Sequence, residues 1–300
     1  MSSLCEAALD VLTTAAPRKK AEKTRDYAAK WRAGEISEIG RTALPDRPAR
    51  PDKPQLLMPR DMPKRARAGE RKSKVALLHA LAHIELNAID LAWDVMARSF
   101  PDCHPEGECL KDLKACEEDS SAQGLQNDKV FQLPKAFYHD WIKVADDEAK
   151  HHLMLEARLN DFEASYGDLP AHDGLWEASE KTAHDFAARL AIVPMVLEAR
   201  GLDVTPGMIE AMTKQGDSET ADILRIIHDD EITHVRAGTV WFETWCAHNG
   251  LDVEEHWQAL VKRYFSGPLK RPFNHPGREE AGMIRDWYEP LADTFDEKEA

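Results

Sequence analysis

Asp146-Asp147-Glu148-Ala149-Lys150-His151 and Asp229-Asp230-Glu231-Ile232-Thr233-His234 repeat one pattern, Asp-Asp-Glu-x-x-His, with their glutamates 83 residues apart. On a helix, residues three apart are neighbours on one face. Each copy therefore offers a carboxylate and an imidazole to one metal ion, and two copies on facing helices offer the same to a pair. Bundles that hold two iron or manganese ions use two Glu-x-x-His helices and one Glu from each of two more. Two single glutamates lie in otherwise apolar helical stretches, Glu85 in LLHALAHIELNAIDLAWD and Glu198 in AARLAIVPMVLEARGL. The expected metal ligands are Glu85, Glu148, His151, Glu198, Glu231 and His234.

The bare motif carries little weight, because 27 Glu and 13 His scattered over 300 residues give about one Glu-x-x-His by chance. The shared Asp-Asp prefix, the helical setting of both copies and the order Glu, Glu-x-x-His, Glu, Glu-x-x-His lift it above that level. A solvated helix face, the usual home of charged helix residues, fits Glu148 poorly, between Val144 and Leu155, and Glu198 worst of all. Asp147 and Asp230 either orient the histidines or lie in solvent. His152 competes with His151 for the position beside Glu148, and the second copy, which has only the i+3 histidine, favours His151. His139 and His275 read as surface or internally satisfied histidines.

Periodicity outlines an all-α chain. Short helices are expected over 3–15 and 20–33, then long ones over 74–99, 134–166, 177–200 and 218–249. On the first long helix the inward stripe reads Leu77, Leu81, Ile84, Ala88, Leu91 and Val95. Gly201 reads as the stop of the third, LDVTPGM as a linker, and 206–215 as a separate short helix. Pro194 removes a backbone hydrogen bond one turn before Glu198, so a kink or bulge is expected there. Gly238, in line with Ile227, Glu231 and His234, reads as room for metal, oxygen or substrate. An amphipathic segment, 253–265, and a tail of no assigned role close the chain.

The domain division is 1–66, N-terminal helices and a basic proline-rich arm; 67–250, a four-helix bundle with a surface insertion over 100–130; and 251–300, a C-terminal helical extension. Cys103, His104, Cys109 and Cys116 lack the close Cys-x2-Cys pairs of structural zinc modules and read as thiols on a loop. Five scattered cysteines suit a reducing compartment. The N-terminus, MSSLCEAALDVL, lacks the basic start of a signal peptide. No apolar run reads as a membrane span, so a cytoplasmic protein is expected.

Net charge is −15, yet residues 17–74 hold 18 Lys/Arg against 8 Asp/Glu, a net +10 that leaves −25 on the rest. Such a stretch is able to meet RNA, lipid or an acidic partner. Seven of the 17 prolines fall in it, which favours an extended arm lying on the chain's own acidic bundle.

The ligand order resembles that of the ferritin-like superfamily, which includes ferritins, rubrerythrins, ribonucleotide reductase small subunits and a tRNA-hydroxylating enzyme. More closely, the chain is similar to the bacterial domain-of-unknown-function family 455. That resemblance is carried by HIELNAIDLAWD, YGDLPAHDGLW, ARLAIVPMVLEARGLDVTPGM, the helix around DDEITHVRAG, and PRDMPKR. It implies a ferritin-like fold and a carboxylate-bridged centre of two iron ions, with iron–manganese or di-manganese as variants and O2 as co-substrate. The expected activity is an oxidoreductase, a hydroxylase or oxidase of an unknown small molecule, served by an external electron donor because no dinucleotide fingerprint or rubredoxin-like Cys pair is present. Iron storage or ferroxidase activity, tRNA hydroxylation, and a scaffold stapled by inert metals are the competing classes. Oligomeric state is open, a dimer included. If the helices bearing Glu148 and Glu198 run parallel, a long crossover must span YGDLPAHDGLW and its flanks.

Overall fold

The computed structural model describes residues 3–62, 69–98, 100, 103–105 and 131–292. Two helices open it, α1 (Leu4–Leu12) and α2 (Pro17–Arg32). Ser3 caps the first by accepting from the Glu6 N–H, and Pro17 starts the second where no N–H is needed. After the arm come α3 (Arg71–Ala97) and α4 (Lys135–Asp161), then α5 (Gly174–Lys181) and α6 (Phe186–Ile192). A π-helical turn, Val193–Glu198, leads from α6 without a break into α7 (Ala199–Lys214). The remaining helices are α8 (Ser218–Asn249), α9 (Val253–Tyr264), α10 (His275–Glu280) and α11 (Arg285–Tyr288). Among the described residues the only sheet is a parallel pair, 103–105 with 131–133, so the all-α expectation holds. Cys109 and Cys116, with most of the 100–130 insertion, lie outside the described residues, as do the side chains of Cys103 and His104.

Contacts at the helix ends fix the directions. Arg71 at the start of α3 donates to the Phe162 carbonyl just past α4, so these two are antiparallel. Arg158 near the end of α4 lies 2.8 Å from Asp217 at the start of α8. At the opposite end, Phe137 packs edge-on to Trp241 at 5.4 Å. Phe137 also touches Phe186, 5.7 Å between ring centroids. The N-terminal ends of α4 and α6 are therefore neighbours, and α4 runs parallel to the α6–α7 helix. Residues 162–185 cross the length of the bundle to achieve this. The crossover is fastened to the arm, where Leu57 N–H donates to Ala171 O at 2.8 Å and Ala171 N–H to Gln55 O at 3.0 Å.

The third long helix departs from expectation at both ends. It begins at Phe186, where Asp185 caps it, and it passes through Gly201 and Pro206 to Lys214. Pro206 has no N–H for the Leu202 carbonyl four residues back. The Asn274 side chain donates to that carbonyl instead, at 3.0 Å. The helix thus runs past the stop expected at Gly201, and a bond from the C-terminal segment makes good the one Pro206 cannot form. On α3, Ile84 is 42% exposed, contrary to the expected stripe, while Leu78, Ala82, Leu86, Ile89 and Trp93 form the buried face.

The α3 helix also corrects the reading of apolar runs. By length and composition it is apolar enough to cross a membrane. About two thirds of its apolar stretch is buried inside the bundle, and the helix carries Glu85, Asp90 and Asp94 inward. Its apolarity is that of a core helix.

The arm lies along the acidic bundle. Lys20 Nζ is 2.5 Å from Asp90 Oδ1, both buried, and Arg50 meets the other Asp90 oxygen. Arg25 and Arg32 flank Asp146 at 3.2 and 2.9 Å. Arg18 reaches Glu156 at 2.8 Å, and Arg47 reaches Asp173 and Glu180.

Candidate metal centre

Helices α3, α4 and α8 bring Glu85, Glu148, His151 and Glu231 to one point in the core. One ligand atom from each lies within 4.8 Å of all the others, and all four residues are buried. His151 Nδ1 stands 3.1 Å from Glu85 Oε2 and 3.8 Å from Glu148 Oε2. His234 Nδ1 stands 3.0 Å from Glu148 Oε1 and 3.6 Å from Glu231 Oε2. Glu148 thus turns one oxygen towards each histidine, with the two rings 5.9 Å apart. Glu198 is the last residue of the π-helical turn and stands outside that group of four, where the Glu231, Glu148 and Glu85 charges act on it.

Several of these atoms are buried without a hydrogen bond. Both Glu148 oxygens, Glu198 Oε2, Glu231 Oε2 and His234 Nδ1 are in that state. A buried carboxylate or imidazole left so is costly unless paired or metal-bound. The donor set is oxygen-rich with two imidazoles, and such a set suits hard or intermediate cations. The residues present therefore fit a metal ion.

The protonation balance points the same way. Burial, then the neighbouring Glu148, pushes Glu85 up to about 8. Burial, with the Glu231 and Glu148 charges, holds Glu198 well above the usual carboxylate range. Burial alone would lower His151, yet Asp230, Glu148 and Glu85 hold it well above an ordinary imidazole. Burial is outweighed in the same way at His234, by Asp147, Glu148 and Glu231. The crowding of these charges favours taking up protons where a cation would otherwise compensate it.

The two motifs support one another across the helix pair. His151 Nε2 is 2.9 Å from Asp230 Oδ2, and His234 Nε2 is 3.3 Å from Asp147 Oδ2. Of the two roles open to these aspartates, orienting the histidines is the one the geometry gives. Lys150, inside the first motif, ties them together at 3.1 Å from Asp147 Oδ1 and 2.6 Å from Asp230 Oδ2. Its part was missed, because a lysine on an acidic helix is an ordinary solvated residue until the facing helix is placed. The first aspartates behave differently. Asp146 serves the arm's arginines, and the Asp229 side chain is 81% exposed.

The three other histidines weighed from the sequence have partners away from the cluster. His152 Nδ1 pairs with the Ala82 backbone carbonyl at 2.8 Å, away from the cluster. His139 accepts from Trp31 Nε1 at 3.0 Å, and His275 pairs with the Tyr288 hydroxyl at 2.8 Å. Gly238 does not provide space as expected. A Cβ there would come within 2.5 Å of Pro194 Cβ, so the glycine admits the proline that opens the π-helical turn.

Comparison with known proteins places the geometry in a family. The family described as Protein of unknown function (DUF455) matches residues 13–289. An uncharacterized protein of Haemophilus influenzae is 36% identical over 248 residues, covering 82% of this chain and 77% of its own length. No solved structure matches.

Proposed function

We propose that this chain, which belongs to the family of unknown function DUF455, holds two iron ions in its buried carboxylate cluster and acts as an O2-dependent oxidoreductase. Iron–manganese and di-manganese pairs suit the same ligands. The reaction is a hydroxylation or oxidation of a small organic substrate. Glu148 and Glu231 would serve both ions, Glu85 and Glu198 would each offer a carboxylate to one, and His151 and His234 would supply one nitrogen apiece. The observation that carries this reading is Glu148, buried between two histidines with neither oxygen hydrogen-bonded. The crossover over 162–185, which makes α4 and α6–α7 parallel, supports a ferritin-like bundle, since that class has one long crossover.

Two such ions supply redox equivalents for O2 that one ion does not readily provide. The chain's own residues prepare the site. Asp147 and Asp230 fix the imidazoles with Nδ1 facing the carboxylates. Lys150 holds the two aspartates in register, and the π-helical turn sets where Glu198 enters. Reducing equivalents come from a separate donor. Arg18, Lys20, Arg25 and Arg47 of the arm are engaged with Glu156, Asp90, Asp146 and Asp173, which argues against a tRNA substrate. Buried free thiols at Cys5 and Cys246 suit the cytoplasm.

Elemental analysis and the optical spectrum of metal-free protein given Fe(II) and then air test the reading, on wild type and Glu148→Ala. About two irons per chain, with a near-ultraviolet charge-transfer band lost in the variant, are expected. A single zinc, or no metal under iron-replete conditions, would remove the oxidoreductase reading.

A further inference from the structure

Between α4 and α8, beside Asp147, lies a cleft of about 220 Å3. Val144 and Ala237 line it and are buried, 2% and 8% exposed, while Val240 lines it from the exposed side at 37%. Val144 precedes Glu148 by four residues and Ala237 follows His234 by three. Each is one helical turn from a candidate ligand.

The polar lining is connected to the centre. Lys143 Nζ is 2.6 Å from Asp147 Oδ2 and 3.1 Å from Thr233 Oγ1. That same Asp147 oxygen is 3.3 Å from His234 Nε2. The Lys143 charge is therefore met. Asp140, also on the rim, accepts from Trp241 Nε1 at 2.9 Å. Arg236 differs from both. It makes one long bond, 3.4 Å to the Glu280 backbone oxygen, and among the described residues no ion pair to a carboxylate engages it. Its field reaches Glu243 from a distance. Most of its planar fork of donors is free, and that fork matches a carboxylate in bidentate geometry.

We propose that this cleft binds a small monocarboxylate with a short apolar body, the carboxylate on Arg236 and the body against Val144, Ala237 and Val240. At about 220 Å3 the cavity falls below the roughly 300 Å3 at which drug-sized pockets begin, so the occupant is small. The chain Lys143–Asp147–His234 links an occupied cleft to the cluster. As a substrate site the cleft rests on the di-metal reading; as a binding site it stands without it.

Calorimetric titration with hexanoate, and with hexylamine and hexanamide as controls, tests the proposal on metal-free and iron-treated protein. Wild type should bind hexanoate saturably at one site. Arg236→Gln and Val240→Asp, both at exposed positions, should each weaken it at least about tenfold, and hexylamine should not bind. Absence of hexanoate binding, equal binding in both variants, or equal binding of hexylamine would overturn the cleft. The iron content of the same samples separates the two readings. Two irons without hexanoate binding removes the cleft alone, whereas Arg236-dependent binding to protein that takes up no metal keeps the cleft and removes the metal pair.

Discussion

Asp230 on α8 holds the outer nitrogen of His151 on α4, 2.9 Å from Oδ2 to Nε2, and Asp147 does the same for His234 in the opposite direction. Each motif thus carries the orienting group of the other. Neither half is complete without the facing helix. Removing such a partner typically costs 10- to 100-fold in metal affinity. Asp230→Asn and Asp147→Asn should each weaken Fe(II) or Co(II) binding by about that factor, measured by competition with a chromophoric chelator. Wild-type affinity in both would mean the aspartates are merely solvated charge.

Glu198 sets stability against function. Burial and the Glu231 and Glu148 charges hold its carboxyl well above the usual range, and its Oε2 is buried without a partner. In the metal-free protein, Glu198→Gln removes the cost of keeping this buried group neutral, at little cost in shape. Its melting temperature should equal or exceed that of wild type. The rise that metal brings by mass action should shrink or vanish in the variant. Parallel calorimetric scans with and without Fe(II) under argon read both, and a metal-free variant that melts well below wild type would argue for a structural role at Glu198.

Much of this arrangement could be read from the sequence, and the exceptions share a cause. Helix α8 was outlined to the residue because its end signals are local, Asp217 accepting from the Thr220 N–H and Gly250 closing the helix at φ 67°. The buried cluster of Glu85, Glu148, His151 and Glu231 was legible because carboxylates stand out on apolar stripes. The helix beyond Glu198 was not legible, since Gly201 and Pro206 are local stop signals and the effect of Pro206 is cancelled by a distant residue. Lys150 and the role of Gly238 were illegible for the same reason, each being defined by a facing helix.

That cancellation is measurable at Asn274, whose side chain donates to the Leu202 carbonyl and also accepts from the Gly277 N–H at 3.2 Å. Asn274→Ala should destabilise the protein by about 1–3 kcal/mol, the range for leaving a buried acceptor unsatisfied or losing a cap. Pro206→Ala returns an N–H to the helix. The loss should therefore be smaller when Asn274→Ala is made in the Pro206→Ala background. Urea denaturation of the four proteins in the cycle gives the coupling directly, and strict additivity would dissociate Asn274 from the proline.

The close approach at Gly238 carries a steric expectation. Its new Cβ in Gly238→Ala would press on Pro194, and overpacking of this kind costs about 1–3 kcal/mol. Helix propensity alone would favour alanine by about 1 kcal/mol, so the sign of the measured change decides between them. A net loss, relieved by Pro194→Ala, is expected from thermal unfolding.

Asp217 contributes to the acid limit of the fold. It caps α8 through Thr220 N–H at 3.1 Å and joins it to α3 through Lys74 at 2.9 Å and to α4 through Arg158 at 2.8 Å. Burial would raise its pKa, but the bonds from Lys74, Thr220 and Arg158 outweigh this and hold it at about 2. In the unfolded chain an aspartate titrates near 3.9. The folded state therefore binds this proton less readily than the unfolded one, so Asp217 stabilises the fold fully above about pH 4. That contribution is lost as pH falls through the folded value, and about 2 kcal/mol is at stake. Asp217→Asn should be less stable than wild type at pH 7, and the gap should narrow as pH falls from 4 towards 2. Urea midpoints across that range check it, and a gap that stays constant with pH would show that the carboxylate charge contributes nothing to the three-helix junction.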